Sequence, residues 1–172
     1  MRHALPFAAA LLLAGCGHIT GPTGATARAT LSPTAGNSAS GTVYFTQQGD
    51  RVLVSGEIRG LQPNTEHGFH VHENGDCSSS DAMSAGGHYN PGKQPHGRYD
   101  MPQHHAGDIP SLQADASGVA HINFESTAFR IGAGEHDAVG RSLVVHRDPD
   151  DFSSQPAGNS GPRLACGVIQ RD

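Results

Sequence analysis

The chain has no tryptophan, and aromatic residues make up only 5% of its 172 positions. Lys93 is its only lysine. Lys and Arg number 11 against 16 Asp and Glu, a formal charge of −5 with histidine neutral, and no basic block occurs. A nucleic-acid binder, which needs a positive footprint, is therefore not expected. Long hydrophobic runs are also missing. The longest runs from Ala4 to Ala14, too short to span about 30 Å of hydrocarbon as a helix. There is no G-x-y period and no internal repeat, which excludes a collagen-like or solenoid chain.

What is abundant is glycine, at 23 residues, with 11 prolines beside it. An excess of turn formers argues for many short strands rather than a helix bundle. The length suits one domain. Histidine is the other surplus, at 12 residues, many of them between His67 and His105.

Residues 1–15 read as an export signal, with Arg2 as the positive start and the Ala4–Ala14 run as its apolar region. Leu13-Ala14-Gly15-Cys16 resembles a bacterial lipobox, so Cys16 is the expected lipidation site. Buried acyl chains contribute about 0.8 kcal/mol per CH₂ to membrane anchoring. Residues 16–24 then form a Gly/Pro/Thr tether, and 25–172 form the folded domain. Only two other cysteines remain, Cys77 and Cys166. In an exported, oxidising compartment they can pair; two buried free thiols are the other reading.

Eight strand-like runs follow the tether: Ala25–Leu31, Gly41–Gln47, Arg51–Arg59, His67–His72, Ser111–Asp115, Gly118–Glu125, Ser142–His146 and Leu164–Gln170. In RVLVSGEIR, Val52, Val54, Gly56 and Ile58 share one face. Gln48-Gly49-Asp50 marks a hairpin. The expected fold is all-β, an antiparallel sandwich or barrel. Two stretches interrupt the rhythm, Glu73 to Pro110 and Arg147 to Arg163. Loops of that length in a compact domain are usually functional or disordered.

The first long loop concentrates histidine. On a strand through Gly68-Phe69-His70-Val71-His72, Phe69 and Val71 would face the core and His70 and His72 would face outward together. Two imidazoles at that spacing suit copper or zinc. Alone, H-x-H is more often a surface pair or a pH-sensitive cluster. The loop adds His88, His96, His104, His105 and Asp108, at spacings unlike a short zinc finger. Three imidazoles and a carboxylate make a closed tetrahedral zinc set. His146 ends an apolar strand and by itself reads more simply as a strand-end histidine. His67 and His121 fall in strand runs and read as structural; His104 and His136 read as solvent-exposed.

The pieces GFHVHENGDC, GGHYNP, PHG, HHAGD, GRSLVVHRDPDD and GNSGPRLACGVI occur in the order found in the copper/zinc superoxide dismutases, which the chain resembles from about Ala25 to its end. With its LAGC segment it looks like the exported bacterial lipoprotein kind of that family. The resemblance implies an eight-stranded antiparallel Greek-key barrel or sandwich, with one copper and one zinc per chain. It implies copper on His70, His72, His88 and His146, and zinc on His88, His96, His105 and Asp108, with His88 shared. Cys77 would pair with Cys166. Asp150 would link His70 to His96, an outer contact of the kind that fixes a ligand's tautomer. Arg163 would guide the anion and His88 would exchange a proton in the dismutation of superoxide to O₂ and H₂O₂. No lysine follows in the second loop, so Arg147 and Lys93 are the remaining candidates for additional steering. The implied partners are superoxide and, through the lipid, a membrane, with the enzyme facing the periplasm as protection against extracytoplasmic superoxide. Monomer and homodimer both stay open. The competing reading is a lipid-anchored copper and zinc store on the same fold.

Overall fold

A computed structural model describes residues 24–132 and 134–172. The signal segment, Cys16 and nearly all of the tether lie outside the described residues. Among the described residues there are nine strands: β1 (Thr26–Pro33), β2 (Ser40–Gln48), β3 (Arg51–Arg59), β4 (Glu66–His67), β5 (Phe69–His72), β6 (Leu112–Gln113), β7 (Ala120–Ser126), β8 (Ser142–His146) and β9 (Arg163–Arg171). Seven form one antiparallel sheet in the order β5-β8-β9-β1-β2-β3-β7, and β4 pairs with β6. All eight runs expected from the sequence are strands. The ninth arises because the run at His67–His72 divides at Gly68, where the chain changes partner. His67 pairs with Leu112, whereas Phe69 pairs with Val145. The β4–β6 ribbon thus joins the two ends of the curled sheet, since β4 runs into β5 and β6 leans on β7.

Alternation builds the interior. Ala27, Ala29 and Leu31 of β1, Val43 and Phe45 of β2, and Val52, Val54 and Ile58 of β3 are all buried. Phe45 meets Phe129 edge to face at 6.3 Å. Each fully buried large side chain contributes roughly 1.5–3 kcal/mol relative to exposure. The β2–β3 hairpin turns where its sequence signal lies. Gln48 pairs with Arg51, and Gly49 takes a φ of 61°, which glycine adopts without a Cβ clash.

The two long connections are ordered by the barrel rather than by regular structure of their own. The first holds only a short 3₁₀ turn, Met83–Ala85. It is laid against β5 through Val71, whose N–H donates to the Gly107 carbonyl at 3.0 Å and whose carbonyl accepts from Tyr89 N–H at 2.8 Å.

Candidate metal centre

β5 buries both faces. Phe69 and Val71 enter the core as expected, but His70 and His72, expected to face outward, are 0% and 1% exposed. The first long loop covers that outer face, and His70 and His72 form bridges with Asp108 and His88 on it. His146 arrives from the neighbouring strand β8, at a register shift just after Val145. Its N–H donates to the Gly68 carbonyl, and its own carbonyl accepts from His67 Nδ1 at 2.9 Å. His67, read as structural, is a buried brace on this strand end. His121, by contrast, is exposed, 3.6 Å from Glu57.

Two groups of buried side chains result. His70, His72, His88 and His146 bring ligand atoms within 4.8 Å of one another, and so do His88, His96, His105 and Asp108. His104 belongs to neither; its Nδ1 donates to the His105 carbonyl.

Hydrogen bonds assign the tautomers. Carbonyls only accept, so His72 Nδ1, 3.0 Å from Gly86 O, and His146 Nδ1, 3.2 Å from Gly161 O, carry the ring protons. Both Nε2 atoms are then bare, yet they face each other at 3.2 Å. Two lone pairs cannot bond to each other; a cation between them resolves the contact. His70 donates Nε2–H to Asp150 at 2.6 Å, leaving Nδ1 bare and without a partner. His88 Nε2 is likewise buried and unpartnered. Four bare imidazole nitrogens therefore converge, a donor set that fits copper.

In the second group, Nδ1 of His88, His96 and His105 lie 2.8, 3.0 and 3.3 Å from the single oxygen Oδ1 of Asp108. The other oxygen, Oδ2, is held by the backbone N–H groups of Gly97 and His105. Three imidazoles around one carboxylate oxygen fit tetrahedral zinc. His88 stands in both groups, through Nδ1 here and Nε2 there.

Charge states follow burial. Desolvation pulls His72 and His146 well below the usual imidazole value, with neighbouring histidines adding to it. Burial lowers His88 to about 4. His96 goes the other way. Its burial is outweighed by bonds to Asp108 and Asp150, which raise it to about 9. Burial pushes Asp108 and Asp150 up, but their imidazole bonds dominate and hold both well below the usual carboxylate range.

Asp150 joins the two groups from behind. Oδ2 accepts from His70 and Oδ1 lies 3.0 Å from His96 Nε2. Gly158, with φ 65°, packs against this pair so closely that a Cβ would overlap Asp150 Oδ1. Gln155 clamps the His96 backbone from both sides, accepting from its N–H and donating to its carbonyl, each at 2.9 Å.

A cavity of about 550 Å³ opens onto the first group. His72, His88, His146 and Arg163 line it, whereas His96, His105 and Asp108 do not. Arg163, half-buried at the start of β9, donates Nη1 to the Ala82 carbonyl at 2.6 Å and Nη2 to the Gly86 carbonyl. Ala82 adopts φ 59° at that point. Cys77 and Cys166 form a disulfide with Cα atoms 5.7 Å apart, tying the base of this loop to β9. Arg147 and Lys93 do not line the cavity, and Arg147 is paired with Asp148 at 2.9 Å. The carbonyls of Ala82, Gly86 and Gly161 carry no side-chain signal and could not be picked from the sequence.

A curled antiparallel sheet with two adjoining buried imidazole groups, one open to a cavity and one sealed, defines a candidate binuclear metalloprotein. The family model for copper/zinc superoxide dismutase (SODC) matches residues 39–169. "Superoxide dismutase [Cu-Zn] 1" of Aquifex aeolicus (strain VF5) is 38% identical over 134 residues, 76% of this chain and 79% of that protein. "Extracellular superoxide dismutase [Cu-Zn]" of Brugia pahangi is 40% identical over 154 residues, 84% of this chain and 75% of that one. Among solved structures, the clock protein EA4 superposes with a TM-score of 0.77 at 37% identity, covering 89% of this chain and 98% of its own. The chain belongs to the copper/zinc superoxide dismutase family. Its activity is superoxide dismutation, and its cofactors are copper and zinc.

Proposed function

We propose that this chain is an exported superoxide dismutase in which His88 would serve as a ligand to both metals and would carry a proton to the reduced oxygen species. The observation that carries the reading is that one ring faces both groups, its unpartnered Nε2 toward the copper group and its Nδ1 2.8 Å from Asp108 Oδ1 in the zinc group. His70, His72, His88 and His146 would hold copper, which would supply the one-electron couple by which one superoxide is oxidised to O₂ and a second, with two protons, is reduced to H₂O₂. Zinc on His88, His96, His105 and Asp108 plays a structural part.

The residues do the rest. His88 Nε2, buried and without a partner, would hold a proton and pass it to the reduced oxygen species. The Asp108 side keeps the ring aligned throughout. Asp150 orients His70 and His96 from behind. Arg163 docks the anion in the cavity it lines, with its guanidinium held by two carbonyls and in no salt bridge with a carboxylate. A metal store has no use for such a cation beside an open cavity.

Residues 1–15 act as a lipoprotein signal, 16–24 as the lipid-anchored tether on Cys16, and 25–172 as the catalytic domain. An extracytoplasmic location is supported by the Cys77–Cys166 disulfide and by the relative called extracellular. Anchoring to a membrane facing the periplasm rests on the LAGC segment.

Metal quantification of the purified mature chain with a superoxide assay, before and after copper addition, tests the reading. One copper and one zinc per chain, with activity tracking copper, is the expected result. Metals bound without activity would favour storage. For the anchor, Cys16→Ser should move the protein out of the membrane fraction.

A further inference from the structure

The mouth of the copper cavity is nearly free of formal charge. Histidines apart, only two ionisable side chains line it among the described residues, Arg163 and Asp81. The opposite wall, through Gln155, Asn159 and Ser160, is neutral. Asp81 directly precedes Ala82, whose carbonyl holds Arg163. Its carboxylate is fixed at the exposed rim, where Oδ1 accepts from Met83 N–H at 3.0 Å. We propose that Asp81 is the counter-charge to Arg163, setting the field at the cavity mouth so that copper ions enter faster and anions enter more slowly. This rests on the reading of Arg163 as the anion's docking cation.

The argument is one of sign. A carboxylate at the rim raises the local concentration of any approaching cation and lowers that of any anion, because a pocket with low-dielectric walls focuses the field along its axis. Both passengers use this mouth, since the bare nitrogens of His72, His88 and His146 are reached through it. The bond from Met83 N–H and the Ser79 hydroxyl, with Arg163 assisting, hold the Asp81 carboxyl below its ordinary range, so the charge is present at neutral pH. The site therefore gives up some speed toward superoxide for capture of its metal.

Asp81→Asn removes the charge and keeps an oxygen for Met83 N–H, so the turn survives. Three quantities read the effect at low ionic strength: the second-order rate with superoxide, the affinity of the copper-loaded protein for azide, and the rate at which zinc-only protein captures Cu²⁺. The first two should rise about two- to five-fold, and the third should fall by a similar factor, the size expected for one unit charge at an exposed rim. All three differences should shrink at high salt. Asp81→Glu should restore the wild-type values. A loosened loop would slow anion capture and metal capture together. Any outcome other than opposite shifts for azide and Cu²⁺ overturns the proposal. If Arg163→Ile weakens azide while Asp81→Asn is inert, only the role of Asp81 falls. If both are inert, the reading of Arg163 falls with it.

Discussion

His70 and Asp150, eighty residues apart in sequence, meet with Nε2 2.6 Å from Oδ2 and both side chains almost fully buried. That one bond decides which imidazole nitrogen is bare, and so which way the metal-facing edge of His70 points. The same carboxylate reaches His96 through its other oxygen. Asp150→Ala therefore strikes both groups at once. Zinc affinity should fall about 10- to 100-fold, the range for removal of such outer contacts. Competition against a coloured zinc chelator measures it. Unchanged zinc affinity would mean that the His96 ring is held by Asp108 and Gln155 alone.

The two groups separate by mutation if their memberships are right. His146→Ala removes a bare Nε2 from the copper group only, so copper and activity should be lost while most zinc is retained. Asp108→Ala removes the oxygen on which three imidazoles converge, so zinc should weaken first. Elemental analysis after dialysis reads both. Zinc loss with intact copper in His146→Ala would reverse the assignment.

How far the sequence spoke depends on which atoms carried the message. The eight strand-like runs located all the strand segments, and where alternation was clear, as in Arg51–Arg59, side-chain period reported which face is buried. It placed His70 and His72 outward correctly relative to the barrel, but could not say that the outer face is itself covered. That depends on a loop of about forty residues whose fold is dictated by long-range backbone bonds such as Val71 to Gly107. The break at Gly68 was invisible for the same reason, since it reflects a change of partner strand. Motif order picked out the residues that the fold brings into the two groups. The carbonyls that fix tautomers and hold Arg163 belong to Ala82, Gly86 and Gly161, and carbonyls are common to every residue.

The disulfide closes a separation of 89 residues. Chain entropy alone puts its contribution at about 4.5 kcal/mol, on a model whose mechanism is debated. Replacing Cys77 and Cys166 with serine should lower the unfolding free energy of metal-free protein by about 2–5 kcal/mol in denaturant titrations. The loop it tethers also presents the Ala82 and Gly86 carbonyls, so azide affinity of the copper-loaded variant should fall as Arg163 loses its cradle. A full stability loss with unaltered azide binding would show that Arg163 is held without the disulfide's help.

Arg163→Ile deletes the cation that lines the cavity without touching a proposed metal ligand. Metal content should stay the same, and the second-order rate should drop about ten-fold or more, the low end of electrostatic steering effects. Salt should slow the wild type and leave the variant flat or slightly faster, because the charge left at the mouth, Asp81, repels the anion and is itself screened. Wild-type rates in the variant would place the guidance elsewhere. Arg147 and Lys93 do not line the cavity, which leaves no second cation there among the described residues.

The metal-free protein should show a stability maximum near pH 6.5. His96 binds its proton up to about pH 9 in the folded chain, against an ordinary value of 6.5. Between those values the folded state holds a proton that the unfolded state has lost, so stability falls as pH rises through this window. Below 6.5 the sign reverses. His72, His88 and His146 stay neutral when folded, His88 down to about pH 4, while their unfolded counterparts take up protons. Stability therefore falls as pH drops from 6.5 toward 4. Below that, Asp108 and Asp150, held under the usual carboxylate range, remain ionised in the folded chain while the unfolded chain binds protons, and the decline continues. Three imidazoles act on the acid side and one on the alkaline side, so the acid limb should be the steeper. Urea titrations of chelator-treated protein at pH 4.5, 6.5 and 8.5 measure it. A steady rise in stability from pH 6.5 to 8.5 would show that His96 is neutral without metal and that Asp108 and Asp150 do not charge it.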